Sequence, residues 1–589
     1  MQRAGRSPLN RSAPAHVFHG VRRALARVTF AALAATCTLC AAPPAHAQAE
    51  APPAPVVEAP PAPVVEAPAP AEGKRSPATD TWGAGEPVDT PPTAGAAPGA
   101  SELASAAIAP GTTCPCPGQE PEARAGLAAQ AVRYTLEGVE VRGNTRTRAQ
   151  VVLRYVPFKR GDVFDVDDPE VELSRYRLLG TGFFRDVQFS LRKGSMRGLV
   201  VLMIDVVERN TIVINDVRMG ISADADTHGN KRPLTAYAGI DVAETNLLGT
   251  GITLGSAMAV AEQQLALRVR FLDPAFLGSS WMTGGTLLYN DARDFFGNAF
   301  VLKEDPLGTS PSQSAVVNYK RFGGALGVGR DLSISTQLWL YYRLETLDAS
   351  YPLEASHLRG YRTEPIDFDI IRGRSVLSTL RATLDHDTRD HPFLPTRGWH
   401  ASVTAEVGLQ PAGSDYDYQR AEVSASHWWR LPWNEHVLRL ELFAGAISGN
   451  APFFEQYYVG DFSDFLPSRV LGVNFDRRPP PNFLGTDIAE VRYGQYAFKV
   501  AGEYRVPLFR GHRSIYGIDF FASVGIYGVA GTRDITSPPV GYSGLSRFPV
   551  DLTGNFGFRM DTSAGGFVFA FSNVLGFVPV RGKGPAGGE

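Results

Sequence analysis

From residue 212 onward, apolar residues recur at every second position, and no other feature of the chain constrains its fold as strongly. Two examples are the series Leu265, Leu267, Val269, Phe271 and the series Leu438, Leu440, Leu442, Ala444, whose members alternate with polar residues. Because successive side chains of a β-strand point to opposite faces, each series predicts a strand with one apolar and one polar face. Two architectures contain such strands: a soluble sandwich whose apolar face turns inward, and an outer-membrane barrel whose apolar face meets lipid.

The N-terminal residues favour the barrel. Residues 1–47 combine an arginine-rich start, an apolar run at 28–42 and the small residues of Ala45-His46-Ala47, which together predict a signal peptide cleaved before Gln48. The apolar run is too short to favour the alternative, a permanent N-terminal membrane anchor. We therefore predict a mainly β protein with a transmembrane antiparallel β-barrel, which must close because lipid offers no partner to an open sheet edge.

Residues 48–131 are rich in proline and alanine, and they contain the octapeptide PPAPVVEA at 52–59 and again at 60–67. Such a composition buries too little apolar surface to offset the loss of chain entropy, so we predict a disordered linker. A periplasmic spacer is the first interpretation, and a proline-rich ligand for a binding domain is the second. Cys114 and Cys116 lie here, and we interpret them as incidental because two thiols are too few for a structural zinc site.

Residues 132–210 predict a small α+β domain with the order strand, helix, helix, strand, strand. The second helix is expected to begin at Asp168-Pro169, a capping residue followed by proline at the first helical position. In the strand that follows the helices, Val187, Phe189 and Leu191 alternate with Gln188 and Ser190. The last strand is the longer apolar run LVVLMIDVVE.

These segments carry a resemblance to a known family. The motifs EVRGN, GDVFD and LLGTGFFRDVQFSL resemble a POTRA domain, the periplasmic module of the BamA/TamA outer-membrane assembly superfamily. The segments ETNLLGTGITL, FLDPAFLG, DHDTRDHPFLPTRGW and GEYRVPLF resemble the barrel of the same superfamily. The resemblance implies one POTRA domain at 132–210 and a barrel of sixteen strands at 212–589, with the last strand at 566–575.

The resemblance also implies a role for the charged stretch DHDTRDHPFLPTRGWH at 385–400. It is expected to form a solvated turn between two barrel strands, built from Asp385, Arg389, Asp390, Pro392, Pro395 and Gly398. A catalytic role for its carboxylates and histidines is the alternative.

Members of the superfamily carry a long loop that folds back into the lumen and presents an Arg-Gly motif. The matching segment here is YYVGDFSDFLPSRVLGVNF at 457–475, so the resemblance assigns Arg469 and Gly472 to the motif, with two residues between them. The superfamily arginine pairs with acidic residues of the barrel wall, and Glu503 and Asp519 are the candidate partners because their parity faces the lumen. The alternative is that Arg469 is a solvated loop charge.

The resemblance implies that the POTRA domain captures an unfolded polypeptide by adding its strand to a sheet edge. The candidate edge strand comprises Val187, Gln188, Phe189, Ser190 and Leu191. The barrel would then open between its first and last strands to assemble, insert or translocate the client. A dedicated secretion channel for one polypeptide is the second hypothesis, favoured by the single POTRA domain, and a passive pore or structural barrel is the third.

The expected location is the bacterial outer membrane, with the N-terminal region in the periplasm. Expected partners are unfolded outer-membrane or secreted polypeptides, outer-membrane lipid and periplasmic accessory proteins. The formal net charge of −3 does not indicate nucleic acid as a partner. The sequence contains no recognisable phosphate-binding loop, zinc-ligand spacing or serine hydrolase motif, so we predict no enzyme activity, catalytic residue, metal or cofactor.

Overall fold

A computed structural model describes residues 133–165, 168–225, 231–296, 301–302, 315–359, 362–475, 480–537 and 548–572. The expected signal peptide, the linker with its two cysteines, and the last residues of the expected final strand (573–575) lie outside these ranges. No helix within the ranges is long and apolar enough to cross a membrane.

The described chain begins with a small domain in which two helices pack against a four-stranded sheet. Its elements are β1 (Arg133–Arg142), α1 (Ala149–Arg154), β2 (Val163–Asp165), α2 (Pro169–Gly180), β3 (Phe184–Lys193) and β4 (Leu199–Glu208). The strand order is β2-β1-β4-β3, with β1 parallel to β4 and the other pairs antiparallel. The predicted order of elements agrees with this domain, except that the short β2 was missed.

Local sequence signals explain how this domain is built. The helix α2 begins as predicted, because the Asp168 carboxylate accepts a hydrogen bond from the Glu170 N–H (2.9 Å) and Pro169 occupies the first helical position. Val152 of α1, Leu178 of α2 and Ile204 of β4 are fully buried in one apolar core. The helices are therefore held against the sheet by side chains that the apolar pattern places on their inner faces.

The rest of the described chain is dominated by one antiparallel sheet that curls into a barrel. Its wall strands are β5 (Ile212–Ala225), β6 (Lys231–Leu247), β7 (Ile252–Ala261), β8 (Gln264–Asp273), β9 (Trp281–Phe296), β11 (Ala315–Ser333), β12 (Thr336–Ser350), β15 (Gly373–Asp387), β16 (Gly398–Gly408), β17 (Tyr418–Arg430), β18 (Val437–Gly449), β21 (Tyr496–Arg510), β22 (Ile515–Ala530), β23 (Val550–Thr562) and β24 (Gly565–Phe571). The connections contain β10 (Val301–Leu302), β13 (Ser356–Arg359), β14 (Arg362–Pro365), β19 (Tyr457–Tyr458), β20 (Tyr493–Gly494) and the short helix α3 (Thr532–Thr536).

The described residues form fifteen wall strands, one fewer than the sixteen expected from the resemblance. Within residues 450–475 and 480–495, between β18 and β21, no strand joins the wall sheet. Neighbouring wall strands alternate in direction, and an odd number of them gives the first strand, β5, the same direction as the last, β24.

The two faces of the wall follow the predicted parity. Leu267, Val269 and Phe271 are all at least 40% exposed, although large apolar side chains of soluble proteins are mostly buried. On the opposite face, Glu503 and Arg505 are buried inside the barrel. An apolar outer surface around a polar interior is the arrangement of an outer-membrane barrel, so the predicted fold class is confirmed.

Candidate functional site

Residues 450–475 and 480–495, which we call the internal loop, pack against the inner wall of the barrel. Phe453, Tyr458 and Ile488 of this loop are fully buried. The Phe453 ring lies 5.2 Å from the ring of Tyr319 and 5.1 Å from that of Phe296, both on wall strands. Aromatic side chains from the loop and the wall thus form one core, and release of the loop would require this core to separate.

One carboxylate of the internal loop, Glu455, anchors it electrostatically to the wall. Its oxygens lie 2.8 Å from Arg343, 3.2 Å from Arg420 and 3.8 Å from Arg321. Burial alone would raise the pKa of Glu455, but the three arginines outweigh burial and hold the pKa below its usual range. This site was not predicted from the sequence. The local signal for it was a single acidic residue inside the aromatic run FFEQYY at 453–458.

Arg469 lies in the internal loop as expected, but its partners differ from the expected ones. Its guanidinium pairs with Asp461 of the same loop (2.8 Å) and donates to the backbone carbonyls of Phe454 (2.8 Å) and Gln456 (3.1 Å). It is therefore a paired internal residue of the loop rather than a solvated charge. It holds the loop's own conformation together, while Glu455 makes the ionic contact with the wall.

The expected acidic partners do face the lumen, yet the structure does not bring either of them to Arg469. Glu503 accepts two hydrogen bonds from Arg559 (2.5 and 3.1 Å), and Asp519 pairs with Arg510 (2.6 Å). Both acids are therefore engaged by arginines on wall strands. At the contact described above, the arginines stand on the wall and the carboxylate, Glu455, stands on the loop.

Gly472 has a conformational role that accounts for the two residues between it and Arg469. Val470 and Val473 exchange two backbone hydrogen bonds of 2.9 Å, and Leu471 and Gly472 between them have φ of +50° and +79°. Two central residues with positive φ form the type I′ turn that suits a tight hairpin. The Arg-Gly motif is thus interrupted here by a hairpin tip.

The barrel has a seam between its first strand, β5, and its last strand, β24. These strands are the two ends of the wall sheet. In the part of the chain that the structure describes, one backbone hydrogen bond links the flanks, from the Ile214 N–H to the Ala564 carbonyl (2.8 Å). Within the described residues no other backbone hydrogen bond joins the two flanks, and backbone groups left unpaired at a sheet edge are costly in hydrocarbon.

The internal loop contacts both flanks of this seam. On one flank, Arg218 of β5 donates to the Ser468 carbonyl (3.3 Å). On the other flank, the Leu484 N–H donates to the carboxylate of Asp551 on β23 (3.0 Å), and Thr553 of β23 donates to Asp464. The loop therefore joins the two sides of the seam from within the lumen.

The small domain sits over one end of the barrel, which we call the near mouth. Arg177 pairs with Asp331 (2.5 Å), and the Arg148 N–H donates to the Gly249 carbonyl (3.0 Å). Arg185 donates to the His512 carbonyl (2.6 Å). A cavity of about 270 Å³ lies between the domain and the mouth, lined by Tyr176 and Arg177 of the domain and by Asp385 and Arg389 of the barrel.

The candidate edge strand β3 lies at the edge of its sheet, with one side free. The Val187 N–H donates to Asp186 Oδ1 (2.9 Å) and its carbonyl accepts from Arg175 (2.7 Å), so these backbone groups point to the free side and are already engaged. Bonding direction alternates along an antiparallel strand, so the backbone groups of Phe189 and Leu191 point to the free side as well. Of the five residues of the candidate edge strand, Phe189 and Leu191 therefore offer backbone groups to an added strand.

No group of three or more histidine, cysteine, aspartate or glutamate side chains within the described residues is arranged to hold a metal ion.

Two protein-family models match the chain: the Omp85 superfamily domain at residues 246–466, and the POTRA model, described as a surface antigen variable number repeat, at 134–209. The outer membrane protein assembly factor BamA of Neisseria meningitidis is 26% identical over 343 residues, which are 55% of this chain and 38% of that protein. The BamA of Neorickettsia risticii is 22% identical over 317 residues, 54% of this chain and 38% of that protein. The chain thus spans little more than a third of the length of these curated relatives.

Among solved structures, CdiB from Escherichia coli is similar with a TM-score of 0.46 and 12% identity, covering 74% of this chain and 72% of that one.

Proposed function

Because the chain belongs to the BamA/TamA outer-membrane assembly superfamily, we propose that it inserts or translocates polypeptides at the outer membrane. It is a bacterial outer-membrane protein with a periplasmic POTRA region, so its near mouth faces the periplasm. Its clients would be unfolded outer-membrane or secreted polypeptides.

The seam is the observation that supports this proposal most strongly. Within the described residues, the two flanks of the seam are linked by one backbone hydrogen bond, so opening there should need far less energy than opening within a fully paired strand pair. Once open, the edges of β5 and β24 present rows of backbone donors and acceptors, which accept a client strand with little demand on its sequence. That chemistry supports insertion by lateral opening.

Capture of the client is assigned to the free edge of β3. The backbone groups of Phe189 and Leu191 point away from the domain, and a client strand would pair with them in the periplasm. The same strand would then be handed to the barrel edge, where it exchanges one set of backbone bonds for another.

Leu191→Pro is expected to weaken client binding about fivefold, because it removes one free-edge N–H donor worth about 1 kcal/mol. The N–H points away from β4, so the domain's own ladder stays intact. The measurement is fluorescence anisotropy of a labelled strand peptide, VLRLELFAGAISG from β18, with the full chain in detergent. Leu191→Ala, which keeps the N–H, is the matched control, and equal affinity of the two variants would refute capture at this edge.

A dedicated secretion channel is the second candidate, and the internal loop favours it. A loop that lies inside the lumen and is anchored by a buried carboxylate is suited to gating a route through the lumen. The same loop argues against a passive pore, which needs no lumenal core and no strand-capturing domain.

The two candidate functions can be distinguished in proteoliposomes that contain the full purified chain. The first predicts that a urea-unfolded eight-stranded barrel becomes protease-protected in the vesicle membrane. The second predicts that a secreted polypeptide crosses into the vesicle interior without inserting. Vesicles in which neither client is protected beyond protein-free vesicles would contradict both.

A further inference from the structure

The turn at 388–397, between β15 and β16, contacts parts of the barrel far from its own strands, and we call it the mouth strap. A Cβ added at Gly517 of β22 would lie 2.8 Å from Leu394, and one at Gly566 of β24 would lie 2.8 Å from the Phe393 ring. These are close packing contacts that glycine permits. The strap starts between the eighth and ninth wall strands and reaches the thirteenth and fifteenth, so it crosses the near mouth. The expectation of a solvated turn is therefore wrong.

The strap has a defined conformation, because two of its own side chains accept hydrogen bonds from its backbone N–H groups. Asp390 Oδ1 accepts hydrogen bonds from the N–H groups of Thr396 (2.8 Å) and Arg397 (3.2 Å). His391 Nδ1 accepts from the N–H groups of Phe393 (3.3 Å) and Leu394 (3.2 Å). Charged residues and prolines thus build a compact turn whose aromatic tip can press on a distant strand.

Arg209, in the connection between the POTRA domain and β5, is held between the strap and the last hairpin. Its guanidinium lies 3.1 Å from Asp561 of β23, donates to the Thr562 carbonyl (2.5 Å) and sits 4.5 Å from the centre of the Phe393 ring. Its side chain is almost fully buried. The connection to the first strand is therefore joined to the hairpin that carries the last strand, with the strap tip closing over the pair.

His391 strengthens the same junction. Its Nε2 lies 3.5 Å from Asp561 Oδ2, while Arg209 occupies the other carboxylate oxygen. Burial lowers the pKa of the His391 imidazole, against the opposing effect of Asp561. Because Nδ1 accepts from the strap backbone, the proton of the neutral ring lies on Nε2, which faces Asp561.

The opposite side of the strap contacts the POTRA domain. Arg397 pairs with Glu172 of α2 (2.6 Å) and donates to the hydroxyl of Tyr176. One segment thus touches the client-binding domain, the connection to the first strand and the last strand.

We propose that the mouth strap couples the position of the POTRA domain to the seam, with Arg209 and Phe393 as the positioning residues that keep the periplasmic end of the seam closed. Movement of the domain pulls on Arg397 and on the connection at Arg209, and the strap tip leaves Gly566. The periplasmic end of the seam, between β5 and β24, then opens. This inference rests on the proposed function of the seam.

The test measures the seam itself, without a client. Spin labels are placed at Met219→Cys on β5 and Phe569→Cys on β24, both exposed on the lipid face, in a full chain whose four native cysteines are serine. Pulsed electron paramagnetic resonance in lipid nanodiscs gives the distance distribution. Phe393→Ala is expected to increase the population that is wider by about one strand spacing, ~4.8 Å, roughly tenfold.

Two further variants test whether the widening is specific to the Phe393 ring. Phe393→Tyr keeps the ring over Arg209 and should restore the narrow distribution. Trp433→Ala truncates an exposed aromatic of a different near-mouth turn and should leave the seam unchanged. A general loss of stability would broaden the distribution in Trp433→Ala as well.

An unchanged distribution in Phe393→Ala, or equal widening in Trp433→Ala, would overturn the coupling. If Phe393→Ala fails to fold, Phe393→Leu replaces it, because leucine keeps most of the side-chain volume and removes the ring over Arg209; no widening then refutes the proposal. Failure of the proposed function is detected by a separate experiment. In that case a barrel whose seam is chemically cross-linked would still insert the client.

Discussion

Covalent bridging of β5 to β24 abolishes client insertion. The variant carries Met219→Cys and Phe569→Cys on the two sides of the seam in the cysteine-free chain, and a short bis-methanethiosulfonate reagent joins them. Admitting a client strand requires the edges to separate by at least one strand spacing, about 4.8 Å, which the bridge prevents. Insertion of an unfolded barrel into proteoliposomes, followed by protease protection, should slow at least tenfold and recover when a thiol reductant cleaves the bridge.

The matched control bridges two strands that are already paired. Tyr342→Cys on β12 and Leu380→Cys on β15 are direct partners, and both face lipid, so the same reagent there should leave insertion unchanged. Undiminished insertion with the seam bridged would show that clients do not pass the seam, and it would favour the route through the lumen.

Glu455→Ala is expected to release the internal loop and raise the single-channel conductance of the barrel several-fold. The carboxylate meets Arg343, Arg420 and Arg321, and loss of one partner from a buried charge cluster costs about 3–5 kcal/mol. The substitution therefore destabilises the docked loop relative to the released loop. In the released state the wall arginines still pair with Glu345, Glu406 and Glu422. Planar-bilayer recordings of the full chain measure the change.

Asp461→Asn is the control for Glu455. It removes the ionic partner of Arg469 within the loop and leaves the contact between Glu455 and the wall in place, so conductance should stay near the wild-type value. Wild-type conductance in Glu455→Ala would mean that aromatic packing alone holds the loop, and a large rise in Asp461→Asn would mean that Arg469 is the principal anchor.

The architecture was predictable because it depends on a local, repeated signal. A strand shows its two faces at every second residue, so Leu438, Leu440 and Leu442 could be assigned to the lipid face without knowledge of their neighbours. The number of strands was less predictable, because it came from the resemblance, and alternation identifies a strand without showing whether that strand joins the wall sheet.

The contacts of the site were less predictable than the fold, because they join residues far apart in the sequence. Glu455 meets arginines on β11, β12 and β17, and the alternation that assigns those arginines to the lumen does not say which carboxylate they meet. The family pattern placed Arg469 in the right loop and assigned it to the wrong partners. At β3, Val187 was assigned to the free edge, but Arg175 and Asp186 already occupy its backbone groups.

The strap illustrates the same limit. Its prolines and charges predicted a turn, and a turn is what they form. Its packing against Arg209 and Gly566 depends on the closure of the barrel, which brings strands remote in sequence to one mouth.

The most direct measurement for the central claim is quantitative proteomics of isolated outer membranes and culture medium after depletion of this protein, with restoration by the wild-type gene. Many unrelated outer-membrane barrels should decline together and recover on restoration. Loss of a single secreted protein, with the barrels unchanged, would contradict general assembly and support the dedicated channel. No change in either fraction would contradict a role in handling polypeptides.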